Sequence, residues 1–104
     1  MSRHMNFGAV VLALALHSLP LTAQDAGNGA DLALEHCVRC HDISEDGEMK
    51  TMPPSFASIA AFRDADQIRM RIMFPTMHSI MPAWSLMFSN AEVDDLVAFV
   101  VGLE

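Results

Sequence analysis

The chain has 104 residues, enough for one domain at most, and its six basic and thirteen acidic residues give a formal charge of −7 at neutral pH. An excess of acid excludes nucleic acid as a partner, because phosphates select the opposite sign. With only two cysteines, no disulfide-rich scaffold can be built.

Arg3 and His4 open the chain, residues 7–16 (FGAVVLALAL) form an unbroken apolar run, and Pro20 precedes Leu21-Thr22-Ala23. A basic start, an apolar stretch and a small residue at a cleavage point read as a secretory signal peptide over 1–23. Ten apolar residues fall short of the roughly 20 that span a bilayer as a helix, so no stable membrane insertion is expected after cleavage. The remaining domain, 24–104, keeps five basic and thirteen acidic residues, a formal charge of −8. A domain of about 80 residues rarely builds a sufficient core unaided and usually needs a disulfide, a metal or a cofactor.

Asn28 is a good N-cap residue and Asp31 suits the first turn, so a helix is expected over 29–40. Its end carries CVRCH, Cys37 to His41. A bridge between Cys37 and Cys40 would close too short a loop to restrain the unfolded chain much. A thioredoxin-like redox pair needs βαβ units, which the pattern lacks, and a zinc site needs four ligands without a second cysteine pair to supply them. Cys-x-x-Cys-His also reads as a c-type haem attachment site, with two thioether bonds from Cys37 and Cys40 and His41 on the iron. The signal peptide supports that reading, since haem is attached in this way outside the cytoplasm.

Residues 42–54 are polar and end in Pro53-Pro54, a loop. Ser55 caps a short helix to Phe62; Asp64 and Gln67 form a capping box for a helix over 65–74, which Pro75 ends. Then comes MFPTMHSIMPAW (73–84), with four groups able to bind a metal: Met73, Met77, His78 and Met81. The stretch alone does not choose among them. Ser89 and Glu92 form a second capping box, and the last helix, over 90–103, buries Val93, Leu96, Val97, Val100 and Leu103 as one stripe. No alternating strand appears, so the domain is all-α.

With these residues in view, the chain resembles the class I monohaem cytochromes c over nearly all of 24–104. Gly29 stands eight residues before Cys37, where that family has a small residue at a close helix crossing. DDLVAFV (94–100) is similar to the family's C-terminal signature, with Phe99 at the aromatic position. Ala33 departs from the family's larger residue, implying a looser crossing, and Phe99 lacks the usual tyrosine hydroxyl. The resemblance implies the cytochrome c fold: three to four helices around one covalent haem c, with N- and C-terminal helices crossing.

It also implies a methionine as second iron ligand, in a loop before the last helix and commonly followed by proline; Met81-Pro82 matches. The residues agree, since Met81 is biased to extended backbone by Pro82. Met77 and His78 remain the alternatives, while Met73, like Met49, Met52, Met70 and Met87, is expected to fill core. A proline carbonyl after the haem motif should accept from His41, which leaves Pro53 or Pro54. Phe56, Ile59, Phe62, Ile68, Trp84 and Leu96 are expected to pack on haem or in the core, with the Trp84 indole able to reach a propionate. His36, His78 and the loop acids are expected to face solvent.

The implied function is one-electron transfer in the periplasm by a His41/Met81-ligated haem, in a monomeric carrier rather than an enzyme. Its partners would be redox proteins: a dehydrogenase donor, and a terminal oxidase or reductase acceptor. The alternatives are a haem subunit bound tightly to a periplasmic dehydrogenase, and a gas-binding or peroxidatic haem protein. Arg63, Arg69 and Arg71 stand at helical spacing and are expected to share one side.

Overall fold

The computed structural model describes residues 24–49, 52–76 and 79–103. The expected signal peptide, Met77 and His78 lie outside those residues. In chain order come α1 (Ala26–His36), α2 (Phe56–Phe62), α3 (Ala65–Met73), one turn of 3-10 helix (Trp84–Leu86) and α4 (Asn90–Val101). No strand forms among the described residues, in keeping with the all-α expectation. No helix among them is long and apolar enough to cross a membrane.

Local chemistry sets most helix starts. Asp64 Oδ1 accepts from the Gln67 N–H at 2.9 Å, and Gln67 Oε1 accepts from the Asp64 N–H at 3.1 Å. Ser89 and Glu92 do the same for α4, at 3.2 and 3.0 Å. Ser55 caps α2 by accepting from the Ser58 N–H at 3.1 Å. Each cap satisfies a helix donor that has no partner within the helix.

The first helix departs from expectation at both ends. Its cap is Asp25, which accepts from the Asn28 N–H at 2.9 Å, so Asn28 lies within the helix. The cause is tertiary. Asp95 of α4 accepts from the Asp25 N–H and from the Asn28 side-chain amide, both at 2.8 Å. Its carboxylate thus sits at the positive end of the α1 dipole. At the other end α1 stops at His36, before the cysteines.

The other helices pack against α4, and α1 packs against it most extensively. Val93, Leu96, Val97 and Val100 are buried along the expected stripe, with Leu103 half-buried beside them. Ala33, Phe56, Ala60, Ile68 and Phe88 complete the core. Ala33 is fully buried, so the small residue leaves no opening to solvent at the crossing.

Several apolar side chains lie outside the polypeptide core. Phe62 is 75 % exposed, because α2 buries Phe56, Ser58 and Ala60 instead. Met49, Met52, Met70 and Met87 are exposed rather than in the core, while Met73 does pack against it.

The crossing makes a sharp prediction. A Cβ at Gly29 would stand 2.0 Å from the Asp95 carbonyl oxygen and 2.5 Å from its carbon, both backbone atoms that cannot rotate away. At Gly27, in the same helix, the nearest atom is the Asp25 side chain at 3.2 Å. Gly29→Ala should therefore destabilise by about 3 kcal/mol or more, lowering Tm by roughly 10 °C or more. Gly27→Ala should stay within about 1 kcal/mol of the parent. Thermal melts of the two variants compare them directly.

Candidate functional site

The CVRCH segment is a tight turn that leaves α1. The Cys40 N–H donates to the Cys37 carbonyl at 3.2 Å, and the His41 N–H donates to the same oxygen at 2.9 Å. Both thiols are free, Cys40 exposed and Cys37 half-buried. Burial pushes the Cys37 thiol from an ordinary 9.0 up to about 11, and charge on the neighbouring Cys40 adds to the effect.

His41 is held from two directions. The Phe56 N–H donates to the Asp42 carbonyl at 2.8 Å, which ties the chain just after His41 to the start of α2. That tie brings the Pro54 carbonyl 2.6 Å from His41 Nδ1. A carbonyl only accepts, so Nδ1 carries a proton toward it and Nε2 is the ring nitrogen left for another partner. Of the two prolines, Pro54 is thus the one that meets the ring. On its other side the imidazole lies 5.4 Å from the Phe56 ring, which is itself 6.1 Å from Phe99 of α4.

The loop between these ties is also anchored. Asp42 Oδ1 accepts from the Ser44 N–H at 2.9 Å, and the Ser58 hydroxyl donates to the Met49 sulfur at 3.5 Å. Glu45, Asp46 and Glu48 are exposed on it, as expected.

Met81 is half-buried in the segment between α3 and α4, and its N–H donates to Ser79 Oγ at 3.1 Å. Met73, the last residue of α3, packs against the core. Three residues beyond Met81, Trp84 stacks on Phe88 with ring centres 5.0 Å apart and an interplanar angle of 16°. His36 corrects the expectation of a solvent-facing ring: it is half-buried, 5.6 Å from Trp84 and 5.1 Å from Phe88, edge-on to both. Sequence spacing gives no sign of these contacts, since about fifty positions separate the partners.

The three arginines do not act together. Arg69 forms an ion pair with Asp94 of α4. Arg63 and Arg71 line a surface groove with Asp66, Gln67 and Met70.

The donor set fits a covalent haem c: two unbridged thiols separated by two residues, then an imidazole whose Nδ1 proton is already committed. Among the described residues, no group of three or more His, Cys, Asp or Glu is placed to hold a metal ion.

Comparison with known proteins bears on the same residues. Residues 24–100 match the family described as cytochrome C oxidase, cbb3-type, subunit III. The chain is 34% identical over 104 residues to Cytochrome c-552 of Bradyrhizobium diazoefficiens, an alignment covering 99% of this chain and 98% of that protein. No solved structure matches.

The two thiols should differ in the haem-free chain. With the Cys37 thiol at about 11, about one molecule in a thousand carries the Cys37 thiolate at pH 8. Iodoacetamide should therefore label the exposed Cys40 first, resolved by peptide mapping of a time course. Equal rates would show that Cys37 is not buried before attachment.

Proposed function

The chain belongs to the cytochrome c family and carries electrons through a covalently bound haem c, and from that premise we propose that His41 and Met81 hold its iron in an exported, periplasmic carrier. When bound, the haem supplies one-electron exchange at iron, and redox proteins are the partners. Cys37 and Cys40 are the attachment thiols of this reading.

The observation that carries it is the hydrogen bond from His41 Nδ1–H to the Pro54 carbonyl, 2.6 Å. It fixes the tautomer and aims Nε2 away from the loop, the arrangement common to metal-bound histidines. The Phe56 ring and the tie between Phe56 and Asp42 keep the imidazole from turning as charge changes at the metal. Met81 is supported by its half-burial and by the adjacent Pro82, which biases its backbone to extend past the site. A thioether favours the reduced metal and raises the potential. With both positions taken, no site is open for substrate or gas.

Export is supported by the apolar run over 7–16 and the small residue at Ala23; the family match begins at the next residue. The donor would be a dehydrogenase and the acceptor a terminal oxidase or reductase. The formal charge of −8 over 24–104 suits partners with a basic docking face.

Two measurements test this reading. Met81→Ala should abolish the weak near-red absorption of thioether-bound ferric haem, lower the potential and admit carbon monoxide to the reduced protein. Met77→Leu conserves volume and removes only a sulfur, so it should change none of these. The reverse pattern would make Met77 the ligand. Second, electron-transfer rates with a basic partner should fall about tenfold or more from low to physiological ionic strength, because attraction between opposite charges is screened. Rates that rise with salt would mean a like-charged partner.

A further inference from the structure

The segment between α3 and α4 is tied weakly to the rest of the domain by its backbone. Among the described residues, its hydrogen bonds close within itself. The Ser79 N–H donates to the Thr76 carbonyl at 2.9 Å, the Met81 N–H to Ser79 Oγ at 3.1 Å, and the Leu86 N–H to the Ala83 carbonyl at 3.3 Å. The Met87 and Phe88 N–H groups both reach the Trp84 carbonyl, at 2.9 and 2.8 Å. What anchors residues 79–88 to other elements is therefore side-chain packing. The 3-10 turn lies beside α3. On the other side, its Trp84 meets one ring from α1, that of His36.

His36 is placed to act as an anchor. It is the last residue of α1, so its backbone is fixed by the helix, and the next residue is the attachment cysteine Cys37. Its ring stands edge-on to Trp84, the first residue of the turn, and to Phe88, which is buried in the core two residues past the end of that turn. The exposed Glu35 carboxylate stands 3.7 Å from its Nε2. The three rings thus join the end of α1 to the start of the turn that follows Met81 and to the residue that leads from it into α4. Edge-on and stacked ring pairs of this kind stabilise beyond the area they bury.

We propose that His36 is a positioning residue: it straps residues 79–88 to the end of α1, and so holds Met81 at the iron without touching the metal. The strap stands on the ring contacts alone, and its consequence for iron rests on the reading of Met81 as ligand.

The test uses the haem-loaded protein and three forms: the parent, His36→Gln, which keeps a polar side chain of similar length and loses the ring, and His36→Phe, which restores a ring. Amide hydrogen exchange is followed segment by segment. In His36→Gln, residues 79–88 should exchange about tenfold faster, as expected from the loss of two ring contacts. Residues of α2 and α3 should exchange at the parental rate, and His36→Phe should restore protection to 79–88. Unchanged exchange over 79–88, or equal acceleration in every helix, would overturn the strap. The near-red absorption is read on the same samples during heating. His36→Gln should lose it at a lower temperature than the parent while helical content is still intact; simultaneous loss of both would count against positioning. The two readings fail separately. If Met81→Ala keeps the near-red band, Met81 is not the ligand, and the exchange rates over 79–88 still decide the strap.

Discussion

The contact on which the rest of the structure depends has no side chain on one side of it. Gly29 lies so close to the Asp95 carbonyl that no β-carbon could fit, which sets the distance and register of α1 against α4. Asp95 then secures the same crossing with its carboxylate, bonded to the Asp25 N–H and the Asn28 amide. One residue of α4 therefore supplies both the surface that α1 packs on and the anion at the end of its dipole. Cys37 lies eight residues along α1 from the crossing, about 12 Å at the helical rise of 1.5 Å per residue. Phe99, one turn beyond Asp95 in α4, leads through Phe56 to His41. A single crossing thus determines where the thiols emerge and which core the imidazole leans on.

The two sides of the site are held by different physics. His41 is fixed by a backbone carbonyl, a backbone tie between Phe56 and Asp42, and a buried ring. Displacing it would expose polar backbone groups that are satisfied in place. The Met81 side rests on a turn whose hydrogen bonds are local and on the packing of Trp84 and Phe88. Segments built in this way open at lower free energy than the helices around them. On the proposed ligation by His41 and Met81, the side held by packing would govern access to the metal, which is where a ring such as His36 would act.

What could be read from the sequence was whatever is encoded within four or five residues. The capping boxes of Asp64 with Gln67 and Ser89 with Glu92 are local and were legible, as was the buried stripe of α4. So was the CVRCH motif with the need for a proline carbonyl, though not the choice of Pro54, which depends on how the 42–54 loop closes on Phe56. The start of α1 was misread because Asn28 is as good a cap as Asp25 by itself; Asp95, sixty-seven positions away, engages the Asn28 side chain. The same limit hid His36. Phe62 and the exposed methionines lie outside the core for another reason: apolar character says that burial is favourable, and a small domain has too little interior to bury every such side chain.

The distribution of charge follows from these same contacts. Asp25, Asp64 and Glu92 serve as helix caps, Asp95 holds α1, and Asp94 neutralises Arg69. These acids are already committed inside the domain, and their fields are partly cancelled by N–H dipoles or a guanidinium. Glu45, Asp46 and Glu48 differ: they are exposed, in the loop that begins just after His41, and bond to nothing among the described residues. Arg63 and Arg71 lie on the α2–α3 side, sharing a groove with Asp66. Exposed charge therefore gathers around the CVRCH segment: Glu35 just before it, Arg39 within it, and Glu45, Asp46 and Glu48 just after it. On the proposed docking with a basic partner, the acids of this group would draw it toward the part of the chain where electrons are exchanged, and Arg39 would oppose them.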